Sequence, residues 1–406
     1  MGLSKNCMSG GPKIRQNSCC HNDSYKNVTM NDTIENSDYT VFWKNCKFYT
    51  DFDKVIITII MPIIVTIGII GNIMTIIVIA SKKCMHTPVN VYFANLAIAD
   101  TLYLIVGPDL IWNSYRNSPI HNWNDIGEEM NWFCPLQKFI TETALTVALF
   151  TVFWLSVERC MAVCRPLKFQ RSGFRYCSRS LKICSIFWIL GMSWKAQYLA
   201  LLRALPAQIP WPPSVEGRFP KMLTACVIRD ENIKLYRILF WVDQVLIFLI
   251  LVALVVLYTA MLISLRKSRN SKFILTRTVY RPKSKPEMKV FLTAFVTVTV
   301  YVLCMTPFKV FTFLYINDLT RYFSMVNILT RLMCYINSAV NPFIYNAMNS
   351  TFRRAFGDVF CSKNNTKNRT HPLASKNTTT KFKESPAPHK QKVCLNDYRD
   401  ADSLIF

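Results

Sequence analysis

The chain has 406 residues, 51% of them apolar, yet it carries a formal charge of +24. Apolar and basic residues must therefore be segregated along it, as in a membrane protein with basic loops. That charge tracks loops, which argues against a nucleic-acid binder, and the absence of a phosphate-cradling Gly-rich loop or a GxSxG elbow argues against an enzyme.

Residues 1–54 hold the sequons Asn22-Asp-Ser, Asn27-Val-Thr and Asn31-Asp-Thr. These make Asn22, Asn27 and Asn31 candidate glycosylation sites, provided the segment is lumenal. Residues 1–30 lack an apolar core, so the first span is expected to act as the insertion signal. Windows near 55–80, 88–112, 131–157, 180–202, 237–265, 290–316 and 325–348 are each long enough for a helix of about 20 residues across hydrocarbon. Seven spans put the termini on opposite sides.

Lys and Arg near span ends stay cytoplasmic. Lys82 and Lys83 follow span one, and Arg165, Lys168, Arg171, Arg175, Arg179 and Lys182 follow span three. Between spans five and six, residues 266–289 carry nine basic residues against the single acid Glu287. All three of these loops are therefore expected inside, with the N-terminus outside. All five histidines, His21, His86, His121, His371 and His389, lie outside the spans, leaving no intramembrane imidazole for a metal or proton relay.

Polar residues inside the spans carry the functional signal, because charge there is costly. Span one has Gly71-Asn72, and span two has Asn95-Leu-Ala-Ile-Ala-Asp100. Span three ends in Glu158-Arg159, span four has Trp188, and span six has Cys304-Met-Thr-Pro307. Span seven has Asn337-Ser338, followed by Asn341-Pro342-Phe-Ile-Tyr345. From Cys134 to Arg159 is 25 residues, roughly 38 Å at 1.5 Å per residue, so the two mark opposite surfaces. Pro307 and Pro342 remove helix hydrogen bonds and supply bend points.

In this order and spacing, residues 50–360 resemble the rhodopsin-like G-protein-coupled receptors. The resemblance implies an all-α fold: a seven-transmembrane bundle at 55–348, an amphipathic helix at 349–361 and a disordered cytoplasmic tail at 362–406. It implies a plasma-membrane receptor that passes an extracellular signal to a heterotrimeric G protein, and then to receptor kinases and arrestin. Thr366, Thr370, Ser375 and the following tail hydroxyls are candidate kinase targets. A disulfide between Cys134 and Cys226 is implied over the pocket, while the pairing of Cys7, Cys19, Cys20 and Cys46 is unreadable.

No cofactor is implied beyond an allosteric sodium ion held by Asp100 with Asn72, Asn337, Ser338 and Asn341. The alternative is a polar network that only fixes packing, and Ala148 stands where a serine oxygen is expected. Arg159 is expected against Glu158 and, when inactive, Glu287, with Tyr258 and Tyr345 turning inward on activation. Glu287 as a solvated surface charge is the alternative. The family pattern is broken by Cys160 beside Arg159, by Met305 and Tyr301 in span six, and by Ile250 and Leu149 facing them. Cys361 is placed for palmitoylation.

Glu142 lies eight residues past Cys134, about 12 Å deep. The pocket half also offers Asp109, Thr141, Lys195, Asp243, Phe308, Lys309 and Arg331. Thr141 stands where amine receptors carry an aspartate and Tyr335 where opsins carry the retinal lysine, which argues against both. The run Phe139-Ile-Thr-Glu142-Thr with Ser-Val-Glu-Arg is similar to receptors of the neuromedin U, pyrokinin and thyrotropin-releasing-hormone group. By that analogy Glu142 takes the arginine of an amidated peptide, with Gq coupling. That the charges pair internally or snorkel stays open. So do a ligand-independent or silent receptor, a small-molecule or lipid receptor and, from another class, a transporter. Transporters usually show paired repeats and broken helices, and neither is found here.

Overall fold

The computed structural model describes residues 48–121, 132–165, 169, 176–209, 211, 217–271, 285–317, 319 and 324–360, with side chains at 207, 268–271 and 285–291 left aside. Asn22, Asn27, Asn31, Cys361 and the tail lie outside the described residues, as does the side chain of Glu287.

Helix α1 runs Asp51–Ser81. Its start is fixed by a reciprocal cap: the Thr50 side chain accepts from the Asp53 N–H, and the Asp53 carboxylate accepts from the Thr50 N–H. α2 runs Pro88–Val106 and resumes, past a break at Gly107–Pro108, over Asp109–Asn117. α3 is Phe133–Cys164 and α4 Cys177–Lys195, followed by a helical turn at Gln197–Leu201. The strands β1 (Leu202–Gln208) and β2 (Met222–Ile228) form an antiparallel hairpin in which Ala204 pairs with Cys226. Then come α5 (Ile233–Ser271), α6 (Lys285–Ile316), α7 (Ser324–Met348) and α8 (Ser350–Phe360). The helical-bundle expectation holds, and the proline-bearing loop before span five adds a β-hairpin to it.

Several helices overrun their expected windows, α5 by six residues at its C-terminal end. The sequence windows stop where hydrophobicity stops, but a helix in water continues while its backbone bonds do. Among the described residues, five helices are long and apolar enough to cross a membrane: α1, α2 with its continuation, α3, α5 and α6. α4 and α7 complete the bundle, but carry Arg179, Lys182 and Lys195 in one case and a series of asparagines with Arg331 in the other. Ile59, Ile63, Ile67 and Ile70 of α1, and Phe248, Leu249, Val252, Val255 and Val256 of α5, are exposed. A soluble protein would bury such stripes, and a bilayer covers them.

Glycine sets the closest helix approach. A Cβ on Gly68 would lie 2.6 Å from Leu104 Cδ1 and 2.8 Å from Ala339 Cβ, so α1 meets α2 and α7 there with no room for a side chain. One turn on, the Asn72 amide donates to the Ser338 carbonyl at 2.9 Å. The break before Asp109 is stitched to α3, whose Gln137 amide donates to the Val106 carbonyl.

Residues before α1 are fastened at the Cys134 end. Phe48 bridges Ile120, the Tyr49 N–H donates to the Pro119 carbonyl, and the Tyr49 hydroxyl donates to Ser114. His121 is buried with its Nε2 3.5 Å from Asp53 Oδ2 and its ring 3.8 Å from that of Tyr49. Burial holds this imidazole below the ordinary histidine pKa, against the upward pull of the Asp53 carboxylate.

Candidate functional site

The helix-three ruler puts two polar regions at opposite ends of the bundle. At the Cys134 end, Cys134 is bonded to Cys226 with Cα atoms 5.7 Å apart, which ties the hairpin to the first turn of α3. Below it, Lys138 and Glu142 are one helical turn apart on α3, and Lys138 Nζ sits 2.8 Å from Glu142 Oε1. The other oxygen, Oε2, lies 3.9 Å from Lys309 Nζ on α6. The carboxylate predicted as the ligand's cation partner thus already faces an ammonium at each oxygen.

A second pair joins α4 to α5. Lys195, one of the largest fully buried side chains, lies 2.5 Å from Asp243 Oδ1, which also accepts from the Trp194 indole at 3.2 Å. Two aromatic rings collect the cations. Lys138 and Lys195 lie 5.7 and 5.9 Å from the Tyr198 ring centre, and Arg331 and Lys309 lie 5.5 and 6.0 Å from that of Phe308. These distances are within cation–π range. Arg331 also donates from Nε to Asn327 Oδ1.

The structure therefore brings Glu142, Lys195, Asp243, Phe308, Lys309 and Arg331 into one charged region. Thr141 is the exception in chemistry, because its hydroxyl donates to the carbonyls of Gln137 and Lys138 in its own helix. Asp109 opens the resumed helix after Pro108, where a carboxylate complements the helix N-terminus. Lys138 escaped the sequence reading, although its four-residue spacing to Glu142 was there to be used. Tyr198 and Trp194 carried no such signal.

Between the two ends, Leu149, Ile250, Tyr301 and Met305 are buried in the same core cluster. Beside it, Asn341 donates its amide to Asp100 Oδ2 at 2.8 Å. Asn72 Oδ1 and Ser338 Oγ are buried without a hydrogen-bond partner among the described residues. Orphaned oxygens near a carboxylate suit a hard cation, so Asp100, Asn72 and Ser338 fit a sodium ion, with Asn337 also buried. When bound, that ion neutralises Asp100. A further network, missed from sequence, runs from the Trp188 indole to Asn95 and from Asn95 to Thr151.

At the other end, Glu158 is buried and its Oε1 accepts from the Tyr92 hydroxyl at 2.7 Å and the Trp154 indole at 3.2 Å. Tyr92 and Trp154 are partners that sequence reading did not name. Tyr258 meets Ser156 of α3 through its hydroxyl at 3.3 Å and packs edge-on against Phe295 of α6. Tyr345 stacks on Phe93 at 4.2 Å and contacts Phe352 of α8. The two tyrosines thus sit in separate surroundings. Cys160 Sγ lies 3.8 Å from Cys164 Sγ.

Residues 71–345 match the sequence model described as 7 transmembrane receptor (rhodopsin family). The chain is 27% identical over 312 residues to the neuromedin-U receptor 2 of Mus musculus, covering 75% of this chain and 74% of that one. It is 26% identical over 356 residues to the allatostatin-A receptor of Bombyx mori, covering 83% and 90%. Against the growth hormone secretagogue receptor type 1 of Sus scrofa it is 24% identical over 298 residues, covering 71% and 76%.

Proposed function

Because the chain belongs to the rhodopsin family of seven-transmembrane receptors, a family of receptors rather than enzymes, we propose that it binds an extracellular peptide and activates a heterotrimeric G protein of the Gq class. The observation that carries this reading is the charged, aromatic region beneath a disulfide-tied hairpin, joined by one continuous helix to Glu158 and Arg159. Charged and aromatic walls under a disulfide-tied hairpin suit a peptide better than a lipid. Its relatives, a neuromedin-U and an allatostatin-A receptor among them, point the same way.

Signal transfer follows from Lys309. It sits two residues past Pro307, where α6 lacks a backbone hydrogen bond, and it reaches Glu142 of α3. A ligand that competes for either partner loosens α3 from α6 at one end, and the bend lets the far end of α6 swing away from Arg159. Glu287, in the first turn of α6, is the proposed partner released in that motion. Tyr258 and Tyr345 then turn toward the opened cavity.

In this reading the Cys134 end faces outward at the plasma membrane, with the N-terminus glycosylated at Asn22, Asn27 and Asn31. The tail lies in the cytoplasm, acylated at Cys361 and open to receptor kinases and arrestin. α8 lies along the inner leaflet, its Phe352, Phe356 and Phe360 in sequence contact. Sodium at Asp100 favours the resting state.

The test is calcium release from cells expressing the chain, challenged with a panel of neuropeptides, with Glu142→Gln run alongside. A responding peptide whose potency shifts tenfold or more in the variant, about 1.4 kcal/mol, supports the pocket. Silence across the panel with protein confirmed at the surface contradicts the peptide and Gq reading.

A further inference from the structure

Among the described residues, the ion pairs and ring contacts around Glu142 are uneven in charge, and the unevenness has a location. Four cations, Lys138, Lys195, Lys309 and Arg331, stand against two carboxylates, Glu142 and Asp243, in the ion pairs and ring contacts among the described residues. Asp243 is taken by Lys195 at 2.5 Å. Glu142 divides its oxygens between Lys138 at 2.8 Å and Lys309 at 3.9 Å, and the longer contact leaves Lys309 the less satisfied of the two.

Arg331 has only neutral partners in these contacts, the Asn327 amide oxygen and the Phe308 face. Since Arg331 and Lys309 both lie within 6.0 Å of the Phe308 ring centre, one aromatic platform carries a cation from α6 and a cation from α7, of which Lys309 reaches Glu142. Like charges gathered at one ring repel, and an anion seated between them relieves that repulsion. A guanidinium brought to Glu142 by a ligand would instead have to displace an ammonium and add to the excess.

Resting on the peptide-receptor reading above, we propose that the ligand presents an anionic group to this receptor. That group is a carboxylate, from a free C-terminus or an acidic side chain, seated between Lys309 and Arg331 over Phe308. Arg331 supplies a planar fork that matches both carboxylate oxygens, and Lys309 a point charge beside it. Seating an anion there draws Lys309 from Glu142, which is the α3–α6 contact that signalling must break. An arginine-bearing amidated peptide does neither.

The experiment uses full-length receptor at the surface of cells. The probes are a synthetic peptide library in which every sequence exists in two forms, C-terminal carboxylate and C-terminal amide, with Glu or Arg varied over the last four positions. Binding is read by retention and affinity on the wild type, Arg331→Gln, Lys309→Gln and Arg331→Glu. Carboxylate or Glu-bearing members retained at least tenfold more tightly than their neutral partners, with that preference lost in the two glutamine variants, supports the proposal. Recovery of binding in Arg331→Glu by Arg-bearing amides supports it further and shows that the altered pocket is folded. Preferential retention of Arg-bearing amides by the wild type, or retention indifferent to form, overturns the proposal while leaving a peptide receptor in place. No member retained in either form overturns both.

Discussion

The two ends of the bundle use polar residues in opposite ways. The Cys134 end is built from full charges in ion pairs and cation–π contacts. Away from that end the carboxylates, Asp100 midway and Glu158 at the far end, are held by neutral donors: an asparagine amide, a tyrosine hydroxyl and an indole. Between the ends, Asn72 Oδ1 and Ser338 Oγ are buried without a hydrogen-bond partner among the described residues, which is costly unless a bound group completes them. The two regions are separated along the same helix.

Each side of this contrast can be broken by substitution. The largest effect is expected for Lys195→Met, which strands the buried Asp243 carboxylate. Removing one partner of a buried pair costs about 3–5 kcal/mol. The thermal midpoint of purified protein should fall steeply, and the double variant Lys195→Met with Asp243→Leu should recover most of the loss. An unchanged midpoint in the single variant would mean that the pair is not what anchors α4 to α5.

At the inner end, Tyr92→Phe removes a hydroxyl donor from a buried carboxylate, a loss of roughly 1.5–3 kcal/mol for a bond to a charged group. Basal nucleotide exchange on a G protein should rise, because Glu158 is released from its helix-two partner. A fall in basal exchange would reverse the role given to that bond. Asp100→Asn should leave peptide binding in place and abolish its dependence on sodium, as read by competition binding across a sodium titration. Persistence of that dependence would move the ion elsewhere.

The smallest expected effect is on pH. Burial holds His121 below the ordinary histidine pKa in the folded protein, so the unfolded chain binds more protons as pH drops through about 6.5. Stability from this anchor is fully present above that value and is lost on acidification. Thermal midpoints of the wild type should decline between pH 7.5 and 5.5, and His121→Phe should flatten the decline.

The bundle was legible because apolar length, loop charge and the ordered polar motifs are local properties of the chain. Asp100 with Asn341, and the shared core of Leu149, Ile250, Tyr301 and Met305, followed from motif positions. What sequence did not disclose depended on which faces meet. Tyr92 and Trp154 reach Glu158 from two helices, Trp194 and Lys195 meet Asp243 across α4 and α5, and the cations of α6 and α7 share Phe308. Periodicity places a residue on a helix but not against a neighbour. Lys138 was a missed local signal, and the β-hairpin was obscured by the prolines around it.

The most direct measurement is guanine-nucleotide exchange on purified heterotrimers reconstituted with the receptor, for the wild type and Arg159→Ala, with and without a peptide that binds. The account predicts that the peptide accelerates exchange on a Gq heterotrimer in the wild type, that Arg159→Ala binds the peptide but does not accelerate exchange, and that guanine nucleotide weakens peptide binding only in the wild type. Peptide binding that leaves exchange unchanged on every heterotrimer, or acceleration that survives Arg159→Ala, would contradict the coupling of the outer charged region to the inner switch.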